Sequence, residues 1–266
     1  MRANRPSLTA RWVAARRVQL ARTRPSTPAG DVDGERALYR DVSGAFVLSL
    51  ARPAGITHRT AFIDGEVAGA IGRGIEQIVI LGAGYDGRAM RFGGTPTRWF
   101  EVDFPTTQAD KRRRLEALAL APDHVRYIPL DLMVGDLDAA LEAAGHDAAA
   151  PSLFLCEGLL AYLTLEASVT LLRTLRARSP DGSVLVATFL AAPEPRDLLL
   201  AWRRARDVMF RAIGEPRRNE FQPGDPEKLL VVTGWRVERS RSGRASRIDR
   251  DAQMVVLAGE PGDAVR

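Results

Sequence analysis

The chain has 266 residues, of which 45% are hydrophobic and 27% are charged, a composition typical of a soluble globular enzyme. No apolar run approaches the ~20 residues needed to cross a bilayer, and the basic N-terminus lacks the continuous apolar stretch of a secretory signal. The single cysteine, Cys156, excludes an intrachain disulfide, so we expect a protein of the reducing cytoplasm.

The net charge of +5 and the isoelectric point of about 9.9 raise the question of a nucleic-acid partner. Of the 38 basic residues only Lys111 and Lys228 are lysines, which leaves 36 arginines and indicates a GC-rich coding sequence rather than selection for phosphate binding. The densest basic stretch, Arg236 to Arg250, predicts a solvated turn between two late strands, with an acidic partner as the alternative. We expect neither a nucleic-acid nor a membrane partner.

The first 75 residues predict helices. Ser7 or Thr9 can cap a helix through about residue 21, and two more helices are predicted at about 35–50 and 60–71. We treat residues 1–75 as an N-terminal helical segment that precedes the main domain, residues 76–266.

From Gln77 onward, short apolar runs alternate with helical segments, a rhythm that predicts a doubly wound, mostly parallel sheet. Strands are predicted at residues 78–81, 98–102, 125–129, 153–156 and 184–189, and helices at about 105–120, 137–144 and 165–178. Val237 with its neighbours and residues 254–258 predict a final antiparallel pair, which makes seven strands.

The alternation breaks at about residues 191–226, where a helix near 197–213 is followed by a Pro/Gly-rich loop. We predict a cap that covers the ligand-binding edge of the sheet; a helix merely packed on the sheet is the alternative. The helix carries more apolar surface than a solvent-facing helix would, through Leu198, Leu199, Trp202, Val208, Met209 and Phe210. We expect some of these side chains to pack on the sheet domain and the others to line an acceptor pocket.

Four successive strands of the predicted sheet end in residues suited to ligand binding. Gly82-Ala83-Gly84 follows the first strand, and Asp103, 19 positions after Gly84, is placed to accept hydrogen bonds from ribose hydroxyls. Asp131-Leu132 follows the third strand and could contact adenine, and Glu157 to Tyr162 follow the fourth. Each element alone also fits loop polarity or core packing, but four in succession indicate a nucleoside-containing ligand. The missing third glycine argues against a dinucleotide.

These residues resemble the leucine carboxyl methyltransferase superfamily, in particular its bacterial polyketide-type O-methyltransferases. The resemblance runs from about Thr9 to Phe189. It is carried by residues 59–64, 77–88, 100–105, 131–132 and 157–163.

The resemblance implies a Rossmann-like methyltransferase fold and S-adenosyl-L-methionine as cofactor. For the methionine part of the cofactor, it assigns Arg59 to the carboxylate and Gly82, Ala83 and Gly84 to the methionine moiety. It assigns Glu157 either to the methionine amino group or to the support of Arg59. For the nucleoside part, it assigns Asp103 to the ribose and Asp131 and Leu132 to the adenine. The residues 1–75 would close the cofactor site. Arg17 is the nearest match to a basic residue on the family's first helix. Gly87 and His58 depart from the family pattern.

The predicted reaction is O-methylation of a small natural-product carboxylate or phenol, with Tyr162 and Trp202 as acceptor contacts. A carboxylate needs no general base, because it is ionised at neutral pH, whereas a phenol usually needs one. Of the three histidines, only His58 is predicted near the site. This shortage of candidate bases favours a carboxylate acceptor.

A protein-carboxyl or nucleic-acid methyltransferase and a non-catalytic cofactor-binding protein remain as alternatives. No catalytic residue is assigned, no metal is expected, and a homodimer is possible.

Overall fold

A computed structural model describes residues 5–11, 13–14, 54–93, 96–192, 200–242 and 253–259 of the protein. Their centre is a seven-stranded sheet in the order β3-β2-β1-β4-β5-β7-β6. The strands are β1 (Gln77–Leu81), β2 (Arg98–Asp103), β3 (Val125–Pro129), β4 (Ser152–Cys156), β5 (Val184–Leu190), β6 (Arg236–Ser242) and β7 (Gln253–Gly259). The first five strands are parallel, which confirms the predicted α/β fold.

Strand β1 lies at the point where the order of the strands reverses. The chain runs outward through β2 and β3 on one side, then returns to pair β4 with the other side of β1. Ile78 therefore lies between Trp99 of β2 and Leu153 of β4. In open α/β sheets the crevice outside the carboxyl ends of the strands at such a reversal is where ligands bind.

The last two strands are antiparallel, as predicted: β7 pairs with β5, and β6 pairs with β7 at the edge. The first half of the basic stretch 236–250 lies in strand β6, so its prediction as a turn is wrong for that half. The apolar residue Val237 alternates with charged neighbours there, which suits an edge strand with one solvated face. Residues 243–250 lie outside the described residues.

Helices join the strands and cover both faces of the sheet. They are α1 (Ala54–Gly72), α2 (Arg88–Arg91), α3 (Pro105–Ala117), α4 (Leu137–Ala143), α5 (Leu165–Ala177), α6 (Leu200–Ile213) and α7 (Asp225–Val232). Local sequence explains several of their starts: Asp136 accepts a hydrogen bond from the Ala139 amide at 3.0 Å, Thr164 accepts one from the Ala167 amide at 3.2 Å, and Pro105 opens α3.

The first two residues of helix α7, Asp225 and Pro226, lie in the segment predicted as loop, and that prediction is wrong for them. Pro226 reads as a loop residue in sequence, but in the structure it occupies the first turn of α7, where its missing N–H costs no helical hydrogen bond. Gly224 precedes the helix with a φ of +89°, a conformation that favours glycine.

Alternating side chains of each buried strand divide the core into two layers. Val79 and Leu81 of β1 face one layer, where they pack with leucines of α5, and Ile78 and Ile80 face the other, where they pack with α1. Strands covered on both faces need apolar residues at every position, which explains the continuous run at 78–81. No helix in the described ranges is both long and apolar enough to cross a membrane.

The predicted cap is seen in part. Helix α6 is present, but Leu198, Leu199 and the side chain of Trp202 lie outside the described residues. The expectation that Val208 and Met209 pack on the domain or line the pocket is wrong, since they are 63% and 38% exposed, whereas Phe210 is buried.

Near the start of the chain, residues 8–11 and 13–14 are helical, and we call them the N-terminal helix. The rest of that predicted helix, with Arg17, and the predicted helix 35–50 lie outside the described residues.

Candidate active site

A cavity opens at the carboxyl ends of the central strands. Its lower lining consists of the segments that follow β1 to β4, namely residues 82–85, 103–104, 130–133 and 157–163. Its upper lining comes from the N-terminal helix and from residues near the end of α6, including Phe210, Glu215 and Arg217. The cavity thus lies at the topological reversal of the sheet, with walls from both ends of the chain.

The loop after β1 turns tightly because two of its residues have no side chain. Gly82 and Gly84 have φ angles of +66° and +52°, and the amides of Gly82 and Ala83 donate to the Val102 carbonyl at 2.8 and 3.1 Å. A Cβ on Gly84 would lie 2.8 Å from the Cβ of Ala10. Glycine at position 84 is therefore required both by backbone conformation and by the approach of the N-terminal helix.

Asp103 ends β2 directly beside this loop. Its carboxylate accepts hydrogen bonds from the backbone amides of Gly84 and Phe104. Burial raises the pKa of Asp103 to about 6, although both amide bonds act to lower it. A carboxylate has about four acceptor positions, so two remain for hydroxyl groups of a ligand in the cavity.

Glu157, after β4, joins two arginines. Its Oε1 accepts from Arg59 Nε at 2.7 Å, and its Oε2 accepts from Arg88 Nη1 at 2.7 Å. Arg59 and Glu157 both line the cavity, and both side chains are almost fully buried. With both carboxylate oxygens taken by guanidinium groups, Glu157 fixes the position of Arg59, in agreement with the second of the two roles considered for it.

Arg88 connects this pair to a buried network that the sequence prediction did not assign. It is completely buried and contacts Asp64 at 2.7 Å and Asp86 at 2.6 Å, and Arg91 also pairs with Asp64 at 2.7 Å. Burial alone would lower the pKa of Arg88, but the surrounding carboxylates raise it well above its ordinary value. In the part of the chain that the structure describes, the pairs in this network join three arginines, Arg59, Arg88 and Arg91, to three carboxylates.

Glu215, which follows α6, is a second residue that the sequence prediction missed. It is buried in the cavity wall and accepts hydrogen bonds from Ser7, Leu8 and Thr9. Ser7 also caps the N-terminal helix as predicted, because its Oγ accepts from the Ala10 amide at 3.0 Å.

Comparison with protein families assigns the chain to one of them. Residues 12–176, more than half of the chain, match the model of the leucine carboxyl methyltransferase family. The chain belongs to that family.

Individual relatives agree with this family assignment. A protein of Mycobacterium avium, provisionally named an S-adenosyl-L-methionine-dependent methyltransferase, is 37% identical over 195 residues, which cover 70% of this chain and 62% of the relative. A relative with a similar provisional name from Mycolicibacterium smegmatis is 35% identical over 243 residues, 88% of this chain and 78% of its own. The chain thus spans about three fifths of the length of the first relative.

Solved structures show the same fold. A provisionally assigned methyltransferase from Thermobifida fusca superposes with a TM-score of 0.58 at 15% identity, over 85% of this chain and 88% of its own. A DUF574 family protein from Streptomyces avermitilis gives a TM-score of 0.58 at 16% identity, over 86% and 90%. At such low identity the likeness concerns the fold alone.

The residues that the leucine carboxyl methyltransferase resemblance singles out come together. All eight cofactor candidates line the one cavity: Arg59, Gly82, Ala83, Gly84, Asp103, Asp131, Leu132 and Glu157. Tyr162 lines it as well. The side chains of Trp202 and His58, and all of Arg17, lie outside the described residues. His124 and His146 lie elsewhere, bonded to the Ala89 carbonyl and to Ser152.

On the side of α6 the cavity is mainly apolar. Ala161, Leu163, Leu190 and Phe210 line it beside Tyr162. One cation lies among them: the Arg217 guanidinium is 4.6 Å from the centre of the Phe210 ring and 3.8 Å from Asp207. Backbone bonds fix this segment, since the amides of Arg218 and Asn219 donate to the Ala161 carbonyl at 2.7 and 3.2 Å. We call this region the α6 compartment.

Proposed function

We propose that this protein transfers the methyl group of S-adenosyl-L-methionine to an oxygen atom of a small acceptor, and that this oxygen belongs to a carboxylate. The observation that carries the proposal is the joining of two regions in one cavity. One has the polar groups that suit a nucleoside and an amino acid, and the other is apolar with a single guanidinium. The family to which the chain belongs and the names of its relatives support the reaction class.

The polar region fits the cofactor group by group. Arg59 has the charge and planar geometry to bind the methionine carboxylate, and Glu157 holds it in place at 2.7 Å. Asp103 offers two acceptor positions to the ribose hydroxyls. Asp131 and Leu132 supply an acceptor and an apolar surface for adenine, and the Asp131 carboxylate is oriented by the Met133 amide at 2.9 Å.

When bound, the cofactor supplies a methyl group on a positively charged sulfur. The protein then has to align the acceptor oxygen with that methyl group and to exclude water, since the charges on both partners fade as the reaction proceeds. The N-terminal helix and the segment from Phe210 to Arg217 form the upper lining of the cavity. We assign them this covering role, as proposed for residues 1–75 and 191–226.

The acidic groups that line the cavity favour an acceptor that is already ionised. Glu157 accepts hydrogen bonds from two guanidinium groups and Glu215 from donors at the start of the N-terminal helix, so both carboxylates are engaged in structural contacts. Asp103 is fixed by two backbone amides beside the glycine loop. Among the described residues of the lining there is no histidine. A carboxylate, with a pKa of roughly 4, needs no base, whereas a phenol, at roughly 10, does.

The α6 compartment supports an anionic, largely apolar acceptor, such as an aromatic or polyketide-derived acid. Its apolar residues bury hydrocarbon surface, and Arg217 can bind a carboxylate by charge-assisted hydrogen bonds. The stack of the Arg217 guanidinium on Phe210 at 4.6 Å holds its plane in a fixed orientation.

The test uses the chemistry of the product. The protein is incubated with methyl-labelled S-adenosyl-L-methionine and matched pairs of aromatic carboxylic acids and phenols, and the products are then treated with mild alkali. Methyl esters release labelled methanol under these conditions, and methyl ethers do not. We expect alkali-labile label from the acids; alkali-stable label from the phenols alone would contradict a carboxylate acceptor.

A further inference from the structure

The Glu215 carboxylate binds three consecutive residues at the start of the N-terminal helix: the capping residue Ser7 and the helical residues Leu8 and Thr9. Its Oε1 accepts from the Leu8 amide at 2.7 Å, and its Oε2 accepts from the Thr9 amide at 3.2 Å and from the Ser7 hydroxyl at 3.1 Å. The Thr9 hydroxyl also donates to Oε2. The first amides of a helix have no partner within the helix, so Glu215 satisfies two such donors, of which the Thr9 amide is buried. We call Ser7, Leu8, Thr9 and Glu215 the clasp.

The clasp connects two parts of the cavity wall that are more than 200 positions apart in sequence. On one side, Glu215 lies between Phe210 and Arg217 of the α6 compartment, and its own amide donates to the Phe210 carbonyl at 2.8 Å. On the other side, the N-terminal helix places Ala10 against Gly84 of the glycine loop. The same four residues therefore join the acceptor side of the cavity to the cofactor side.

Other contacts of the N-terminal helix face away from α6. The Ser7 amide donates to Thr107 Oγ1 at 3.0 Å, and Arg11 pairs with Asp110 at 2.8 Å, both on α3. These contacts hold the helix to the sheet domain, whereas Glu215 ties its first turn to the segment after α6. Loss of Glu215 should therefore open the cavity without unfolding the sheet.

We propose that Glu215 is a positioning residue that closes the cofactor cavity through the clasp, and that opening of the clasp is the step that lets the cofactor product leave. The role of the clasp in cofactor exchange rests on the proposed function. The four hydrogen bonds donated to Glu215 give it this positioning role, because they engage both of its carboxylate oxygens with the start of the N-terminal helix.

The experiment compares wild type with Glu215→Ala and Glu215→Gln. Glu220→Gln is the control, because Glu220 is exposed on the same segment. The probe is S-adenosylhomocysteine, and its dissociation rate is measured by stopped-flow fluorescence. We expect the rate to rise about tenfold in Glu215→Ala and by less in Glu215→Gln, which keeps one acceptor oxygen, with no change in the control. The KM for S-adenosyl-L-methionine should rise while kcat is unchanged or higher.

Amide hydrogen exchange of the same variants tests the clasp independently of the cofactor. In Glu215→Ala the Leu8 and Thr9 amides should exchange faster, while the β1 amides stay protected, which also shows that the sheet is folded. Faster exchange at Leu8 and Thr9 with an unchanged dissociation rate would overturn the role in cofactor exchange. Unchanged exchange at these amides would overturn the clasp itself. A wild-type protein that binds no S-adenosylhomocysteine would instead contradict the proposed function, and the exchange result would still stand.

Discussion

Arg88 donates a hydrogen bond from Nη1 to Glu157 Oε2 at 2.7 Å, and this contact links the helix after the glycine loop to the segment after β4. Arg88 is completely buried, so its charge depends on the carboxylates around it. Through Glu157 the same network reaches Arg59 in the cavity wall. The position of Arg59, the arginine that we propose binds the cofactor, thus depends on residues that do not line the cavity.

Replacement of Arg88 should be strongly destabilising. Arg88→Met leaves Asp64, Asp86 and Glu157 with two of their three cations, and we expect the free energy of unfolding to fall by about 3–5 kcal/mol. Urea denaturation measures this value. The exposed Arg126 provides the control, and Arg126→Met should change stability by less than about 0.5 kcal/mol. Equal effects of the two substitutions would show that the network contributes nothing specific.

Asp103 should make cofactor affinity depend on pH. Its pKa in the free protein is about 6, and hydroxyl donors of a bound ribose favour the ionised form, so the pKa falls on binding. Affinity should therefore be highest above pH 6 and decrease as the pH falls below it. Calorimetry of wild type and Asp103→Ala between pH 5 and 8 tests this. We expect Asp103→Ala to lose about 1–3 kcal/mol of binding free energy at pH 8 and to show no such pH dependence.

Gly84→Ala should weaken both the fold and the cofactor site. The substitution strains a φ of +52° and brings a Cβ to 2.8 Å from the Cβ of Ala10, so the N-terminal helix must move. Gly145→Ala is the matched control, since Gly145 has a φ of +84° with no atom within 4 Å of the added Cβ. Both variants should lose about 1–2 kcal/mol from backbone strain, and Gly84→Ala should lose more. Only Gly84→Ala should lower the affinity for S-adenosyl-L-methionine. An unchanged affinity would show that the N-terminal helix does not contribute to the cofactor site.

Residues of the α6 compartment should affect the acceptor and spare the cofactor. We expect Arg217→Met to raise the acceptor KM by about tenfold or more, because a charge-assisted hydrogen bond to the carboxylate is lost. Phe210→Ala should also raise it. Val208→Ala, on the exposed face of α6, serves as control and should change neither the KM for the acceptor nor the affinity for the cofactor. If Arg217→Met and Phe210→Ala lower only the melting temperature, the compartment is scaffold and the acceptor binds elsewhere.

Much of the fold and of the cofactor site follows from short-range sequence pattern. Buried parallel strands appear as continuous apolar runs, so β1 and β4 were predicted within a residue of their observed ends. Gly84 and Asp103 were both predicted in the cofactor site because each stands at the carboxyl end of one of two successive strands. In the structure the Gly84 amide donates to the Asp103 carboxylate.

What the sequence did not predict depends on contacts between distant segments. Glu215 lies in a Pro/Gly-rich segment with no local pattern, and its partners Ser7 to Thr9 are at the other end of the chain. Arg88 was part of the family motif, yet its three acidic partners come from three separate segments: Asp64 lies in α1, Asp86 follows β1 and Glu157 follows β4. The exposure of Val208 and Met209 was missed because apolar content alone does not determine which face of a helix packs on the protein.

Isothermal titration calorimetry tests most directly whether the cavity binds S-adenosyl-L-methionine. Wild-type protein is titrated with S-adenosyl-L-methionine, with S-adenosylhomocysteine and, as a control for the two-glycine loop, with NAD. We predict one binding site per chain for each of the first two ligands and no heat of binding for NAD. Binding of NAD without binding of S-adenosyl-L-methionine would contradict the account.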